Sequence, residues 1–227
     1  MGSISSHCRK VMIEMEKQHQ GKAILVAGGA GFIGSSFIHM MLKKHPEGRI
    51  INYDLLTYAG NLENLSDIKH HPNYFFIRGD IRDSEAVRRV FSLYNIDAVF
   101  NFAAESHVDR SIVEPEAFLT TNVNGKQVLL NAAKDHWKLE PGNKHSRMYK
   151  PGVRFVQVST DEVYGALGKE GKFVESALLL ANNPYSATKA SADLIVRVYH
   201  EIFGLLINIT RCSNNYTLTS IPKSSSR

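Results

Sequence analysis

The stretch Ala23-Ile24-Leu25-Val26-Ala27-Gly28-Gly29-Ala30-Gly31-Phe32-Ile33-Gly34 decides the fold. Its first part is an uninterrupted apolar run, the pattern of a strand buried on both faces. Its second part is a glycine turn, after which apolar residues recur at helical spacing over 32–42. Glycines at 28, 31 and 34 allow a sharp turn, close approach of the backbone to a pyrophosphate, and packing of the helix against the sheet, while the helix N-terminus favours an anion. A glycine motif alone is weak evidence. Here it follows a strand, opens a helix, and is answered by Asp54 at the end of the next apolar run. That is the roughly 20-residue spacing at which a carboxylate can bond both ribose hydroxyls. An acid at 54, with no arginine beside it to hold a 2′-phosphate, predicts NAD rather than NADP.

Outward from this motif, apolar runs at 50–53, 74–77, 98–101, 153–158 and 206–210 alternate with helical patterns at 85–94, 118–133 and 186–203. Parallel neighbours need crossover connections, so the alternation predicts an α/β fold, a doubly wound parallel sheet of the Rossmann type covered on both faces. In such a sheet, ligands lie beyond the carboxyl ends of the strands. That places Asp80 and Ile81, after the third run, and Ala103 and Ala104, after the fourth, along the expected cofactor groove. Asp80 reads equally well as a cap for the following helix. The basic, Pro- and Gly-containing stretch 138–152 is long for a connection and is expected to be an exposed insertion.

With 227 residues, 43% of them hydrophobic, the chain can bury one large core. The net charge of +5 is spread among interleaved acids and bases, which reads as a solvated surface with some attraction for phosphorylated ligands rather than a nucleic-acid face. No apolar run is long enough to span a membrane, and the N-terminus lacks the apolar centre of a signal peptide, so a cytoplasmic location is expected. Residues 1–21 read as a polar extension, with Met12 or Met15 as alternative starts, and 22–216 as the NAD-binding domain. Cys8 and Cys212 form neither a disulfide framework nor a metal site.

The fifth apolar run ends in Ser159-Thr160-Asp161-Glu162-Val163-Tyr164-Gly165, and the last helical pattern opens on Tyr185-Ser186-Ala187-Thr188-Lys189. Tyrosine and lysine at this spacing share a helix face, so the ammonium is expected to lower the phenol's pKa and make Tyr185 a base. Tyr-x-x-x-Lys occurs by chance in many helices; the dinucleotide motif and the preceding Ser-Thr give it chemical weight. Thr160 is expected to bond the same substrate oxygen. Oxidation of a carbinol needs only the tyrosine, so Asp161 and Glu162 suggest an additional acid and base, or else a cap on the next turn.

Taken together, the stretches 28–34, 54–61, 103–111, 159–165, 184–191 and 210–216 resemble the extended short-chain dehydrogenases/reductases, the NAD-dependent epimerase/dehydratase family. Within it the chain looks like the dTDP-glucose 4,6-dehydratases. That resemblance implies that Tyr185 takes the proton of the sugar 4-hydroxyl as hydride passes from C4 to NAD, assisted by Thr160 and Lys189. Glu162 then removes the C5 proton, Asp161 protonates the departing 6-hydroxyl, and hydride returns to C6, converting dTDP-glucose to dTDP-4-keto-6-deoxyglucose. The Thr-Asp-Glu triplet separates these enzymes from the related 4-epimerases. The resemblance also places Phe32, Ile33, Thr121 and Asn215 at the cofactor and Ser106, His107 and Asn214 at the sugar. It implies a homodimer formed through the helices around 118–133 and 186–203. Ala27 stands where many relatives have threonine. Two alternatives stay open: a dehydratase of another nucleotide sugar such as UDP-glucose, and a non-catalytic dinucleotide-binding regulatory fragment.

After Tyr216 the family continues with Gly-Pro-Tyr-Gln-Tyr/Phe-Pro-Glu-Lys-Leu-Ile-Pro and a substrate domain, whereas this chain reads Thr217-Leu218-Thr219-Ser220-Ile221-Pro222-Lys223-Ser224-Ser225-Ser226-Arg227. A coding sequence for that tail, regrouped from its third base, encodes Pro-Tyr-Gln-Tyr-Pro-Glu-Lys-Leu-Ile-Pro. The expectation is a frame change that makes 217–227 an aberrant tail, removes the substrate domain, bares the edge of the last strand and leaves a product without turnover.

Overall fold

The computed structural model describes residues 21–143, 145–168 and 170–215. The expectations for residues 1–20, Tyr216 and the 217–227 tail lie outside these residues.

Strand β1 (Ala23–Ala27) is buried along its whole length because it has neighbours on both edges and helices on both faces. The chain turns at the glycines into α1 (Phe32–Lys44), then runs outward through β2 (Arg49–Asp54) and β3 (Tyr74–Arg78). Helix α2 (Ser84–Tyr94) carries it back across β1 to β4 (Ala98–Asn101). The short helices α3 (Val108–Val113) and α4 (Pro115–Phe118) and a π-helical segment, Leu119–Gly125, lead into α5 (Lys126–Trp137). Strand β5 (Arg154–Thr160), a 3₁₀ turn at Asp161–Tyr164, α6 (Pro184–Phe203) and β6 (Ile207–Cys212) complete the described fold. The six strands are parallel, in the order β3-β2-β1-β4-β5-β6. This is the expected doubly wound sheet, and its order reverses between β1 and β4.

Alternation along the strands divides the core in two. Leu25, Ile51, Val99 and Phe155 face Phe91 of α2, Leu129 and Trp137 of α5 and Val196 of α6. Ile24, Val26, Ile50 and Val156 face Phe37, Ile38 and Met41 of α1. Among the described residues no helix is long and apolar enough to cross a membrane.

Two local readings need correction, and a third, the exposed insertion, gains an anchor. The helical pattern expected over 118–133 is broken: the chain widens into the π-helical turn before α5 begins. Such bulges recur at functional sites, and here the turn buries Asn122, whose amide bonds Glu105 O and Thr188 Oγ1 at 2.9 and 3.0 Å. The cap of α2 is Asp83, accepting from the amides of Glu85 and Ala86 at 3.0 and 2.9 Å. Asp80 is therefore not the cap; it pairs with Arg82 at 2.6 Å. The insertion at 138–152 is exposed at its tip but anchored at its base, where Lys138 and Tyr149 form an antiparallel bridge. The Tyr149 hydroxyl donates to Phe203 O at 2.9 Å, fastening the end of α6.

Trp137, the single tryptophan, is fully buried and donates its indole N–H to Ile96 O at 2.6 Å, joining the end of α5 to the start of β4. Trp137→Ala is expected to lower stability by about 3–5 kcal/mol, read as a shift in the urea midpoint by circular dichroism. Trp137→Phe should retain part of it, because only the indole bond and some volume are lost. Equal midpoints for wild type and Trp137→Ala would refute this packing.

Candidate active site

The strand ends at the centre of the sheet form a groove whose floor is the glycine turn. Gly28 has φ +76°, and a Cβ there would lie 2.6 Å from the amide nitrogen of Ala103, so β1 and the loop after β4 touch backbone to backbone. A Cβ on Gly34 would collide with Gly28 O, which is why α1 can pack directly on the turn. Gly31 is less tightly enclosed: a Cβ there would lie 3.3 Å from Gly28 O and 3.9 Å from Ala59 O. Helix α1 begins there with no side-chain cap and no acid in its first turn, and Phe32 and Ile33 are exposed. Its first amides thus face the groove with the polarity an anion requires.

Asp54, buried at the end of β2, accepts from Ala30 N at 2.9 Å through Oδ2 and from Leu56 N at 2.8 Å through Oδ1. It therefore braces the glycine loop as well as facing the groove; each carboxylate oxygen has a second lone pair for a hydroxyl. Next to it, Gly79 lies against the Tyr53 ring, and the Tyr53 hydroxyl donates to Asp80 O at 3.0 Å. Burial tends to raise the Asp80 carboxyl, but its bonds with Arg82 outweigh this and hold it below the ordinary range. Ile81 is buried and meets Gly125 at the end of the π-helical segment, on which Thr121 is half-buried. Ala103 and Ala104 are half-buried beside Gly28, while Ser106 and His107 are exposed at the start of α3. Asn214 and Asn215 are exposed beyond β6, where the Asn215 amide bonds Ser213 O at 3.0 Å.

The second half of the site sits at the end of β5. Helix α6 is positioned by Asn183, which forms a capping box with Ser186, by Pro184 in its first turn, and by Gly204 in the left-handed conformation at its end. This fixes the rotation that turns Tyr185 and Lys189 inward, 9% and 5% exposed. The Tyr185 amide donates to the buried Ser111 Oγ at 3.2 Å, and its ring meets Phe118 edge-on at 6.4 Å. Thr160 caps the 3₁₀ turn, accepting from Glu162 N at 3.3 Å and donating to Asp161 Oδ1 at 3.3 Å. The cap reading of Asp161 and Glu162 is thereby replaced, because the threonine fills that position. Glu162 Oε2 accepts from the Asn183 amide at 3.4 Å.

Thr160, Asp161, Glu162 and Tyr185 are thus brought together around one phenol. Burial, followed by the Glu162 charge, pushes the Tyr185 phenol up to about 12, against the hydrogen bond from Thr160 that lowers it. This corrects the expected direction. The Lys189 ammonium donates to Val158 O at 2.7 Å, and burial pushes it down to about 8 with Asp193 opposing. The ammonium is hydrogen-bonded to the strand, and desolvation and the neighbouring acid dominate the phenol. Sequence reasoning missed Asn122, Ser111 and Asp193. Only Asp193 carried a local signal, since it continues the Tyr185 and Lys189 spacing by one more turn. Among the described residues no group of His, Cys, Asp and Glu is arranged to hold a metal ion.

Set beside known proteins, this architecture has close counterparts. The chain is 49% identical over 193 residues to the dTDP-glucose 4,6-dehydratase of Xanthomonas campestris pv. campestris (strain B100), covering 85% of this chain and 53% of that protein. The crystal structure of dTDP-glucose 4,6-dehydratase from Bacillus anthracis in complex with NAD is similar with a TM-score of 0.75 and 43% identity, over 88% of this chain and 57% of that one. UDP-glucose 4-epimerase of Thermus thermophilus in complex with NAD follows with a TM-score of 0.69 and 28% identity, over 83% and 54%. The chain spans about half the length of the curated relatives it matches. The family profile described as GDP-mannose 4,6 dehydratase matches residues 25–223, and the chain belongs to that family.

Proposed function

We propose that this fold carries the NAD-binding and catalytic half of a nucleotide-sugar 4,6-dehydratase acting on dTDP-glucose. The observation that supports this best is the gathering of Thr160, Asp161 and Glu162 around the Tyr185 phenol, which places two carboxyl groups beside a proton-transfer residue at one strand end. The relatives named above agree in class: the Xanthomonas protein is a dTDP-glucose 4,6-dehydratase and the Bacillus enzyme was crystallised with NAD.

The residues present fit a dinucleotide. The glycine turn carries no side chain over the start of α1, the first amides of α1 supply donors for a pyrophosphate, and Asp54 supplies acceptors for ribose hydroxyls. Asp80, Ile81, Ala103, Ala104, Thr121 and Asn215 are assigned to the rest of the cofactor. NAD, when bound, supplies the hydride acceptor at sugar C4 and the donor at C6. Tyr185 moves the 4-hydroxyl proton, Thr160 holds the same oxygen, and Lys189 provides positive charge behind the phenol. Once C4 is a ketone the C5 proton is acidified; Glu162 removes it while Asp161 protonates the leaving 6-hydroxyl. Ser106, His107 and Asn214 are assigned to the sugar. A homodimer is supported by the exposed apolar stripe Leu194, Val198 and Ile202 along α6, continued by Leu119. A cytoplasmic location is consistent with this chemistry.

Isothermal titration of the chain is expected to show NAD binding about tenfold or more tighter than NADP, because Asp54 repels a 2′-phosphate. Equal affinities would sink the assignment of Asp54. Gly31→Ala should weaken NAD binding by about tenfold while lowering the thermal midpoint less than Gly34→Ala, since its methyl presses on Gly28 O at 3.3 Å without overlapping it. Gly34→Ala should instead unfold the turn, since its methyl meets backbone.

The dehydratase reading itself is tested by joining this fold to the C-terminal part of the Xanthomonas relative and assaying dTDP-glucose. In that protein Glu162→Gln is expected to keep substrate-dependent reduction of NAD while water loss falls by about 100-fold or more; Tyr185→Phe should suppress both. Identical behaviour of the two variants would remove the separate roles.

A further inference from the structure

Behind Tyr185 lies a charged cluster that the proposed chemistry does not use. Asp193 stands one helical turn beyond Lys189 and two beyond Tyr185, so the three side chains share one face of α6. It is 1% exposed. Its Oδ2 accepts from Ser159 Oγ and from Arg211 Nε, each at 2.9 Å. Arg211 also donates to the Tyr164 hydroxyl at 2.9 Å and lies over that ring at 5.1 Å. Asp193 therefore links β6 and the strand end beside Thr160 to the catalytic helix. Its other oxygen, Oδ1, has no hydrogen-bond partner among the described residues, and neither has Lys126 Nζ, 1% exposed at the start of α5.

A carboxylate buried this deeply is costly unless its charge is matched, and a buried ammonium has the same requirement. Arg211 matches Asp193 from one side, which leaves two buried lysines drawn to the same carboxylate. Burial drives Lys189 toward the neutral amine, and Asp193 is the charge that opposes this. Lys126 is driven down as well, by burial first and by the Lys189 charge next, again against Asp193. Other charged groups on the surrounding elements act elsewhere. Asp161 and Glu162 act on Tyr185, Arg82 pairs with Asp80, and Glu85, Arg88 and Arg89 of α2 and Arg197 and Glu201 of α6 are exposed.

We propose that Asp193 is a positioning residue that keeps Lys189 an ammonium behind Tyr185 at neutral pH. This rests on Tyr185 and Lys189 being the proton-handling pair. With its charge kept, Lys189 lowers the cost of negative charge on the phenol oxygen as the sugar proton moves. Lys189 Nζ stays bonded to Val158 O in either protonation state, so the strand contact alone does not set its charge.

The experiment follows the ¹³Cε shifts of labelled lysines with pH in the 227-residue chain, with signals assigned by Lys126→Met and Lys189→Met. Asp193→Asn keeps the shape and removes the charge; it is expected to lower the Lys189 midpoint by about one pH unit or more, toward neutrality. Lys189→Met should raise the Lys126 midpoint, since the repelling charge is gone. An unchanged Lys189 midpoint in folded Asp193→Asn would overturn the proposal. Should Asp193→Asn fail to fold because Arg211 is stranded, the double variant Asp193→Asn/Arg211→Gln carries the same comparison. A purely structural Asp193 would lower thermal stability and leave the lysine titration unmoved. No nucleotide or sugar enters this measurement, so a failed dehydratase assay does not touch it. In an active protein the alkaline limb of the rate profile should move acidward in Asp193→Asn, since activity is lost as pH rises through the Lys189 midpoint.

Discussion

The backbone contact between the glycine turn and its surroundings is the constraint on which the rest of this molecule depends. Gly28 meets the backbone of Ala103, and Gly34 meets the carbonyl of Gly28, at distances that admit no side chain. That close approach lets β1 stop, reverse and feed α1 at the centre of the sheet, where the strand order switches and a groove opens beyond the strand ends. Asp54 then bonds Ala30 and Leu56 and holds the turn in shape. The residue expected to recognise a ribose is therefore also a brace for the loop, and the two roles are compatible because its oxygens have acceptor capacity left.

On the other side of the groove, the rotation of α6 does comparable work. A capping box at Asn183, a proline in the first turn and a left-handed glycine at the end determine where the helix starts and stops. Its register then decides that Tyr185, Lys189 and Asp193 point inward while Leu194, Val198 and Ile202 point out. The inward face is expensive. It buries charged and polar groups that are stable only as a network, with Arg211, Ser159 and Val158 O as partners. Burial of this kind is how one protein environment separates the proton affinities of neighbouring groups. A phenol pushed up and a lysine pushed down sit within one turn of each other.

Much of the fold was legible in the linear chain because the signals that specify it are local. Fully buried parallel strands read as continuous apolar runs, and the expected strands match those observed to within one or two residues. The glycine turn, Asp54 at the end of β2, and Thr160 to Glu162 at the end of β5 could be placed because strand ends in a doubly wound sheet converge on one edge. The break in the helical pattern over 118–133 was not legible, because the π-helical turn is stabilised by Asn122 reaching Glu105 and Thr188, partners distant in sequence.

By itself, then, the sequence determined which residues become strands, where the backbone must come closest to a ligand, and which chemical groups arrive at the strand ends. Each of these follows from periodicity, glycine's missing Cβ or strand order, none of which needs a distant neighbour. Tertiary structure placed the cap of α2 at Asp83, the residue directly before Ser84, and paired Asp80 with Arg82 instead. It alone decided the direction of the Tyr185 shift. Helical spacing promised an ammonium beside the phenol, but the fold gave that lysine to Val158 O and surrounded the phenol with apolar packing and a carboxylate. Electrostatic character depends on desolvation and on charges contributed by several strands and helices at once, and those are properties of the assembled interior.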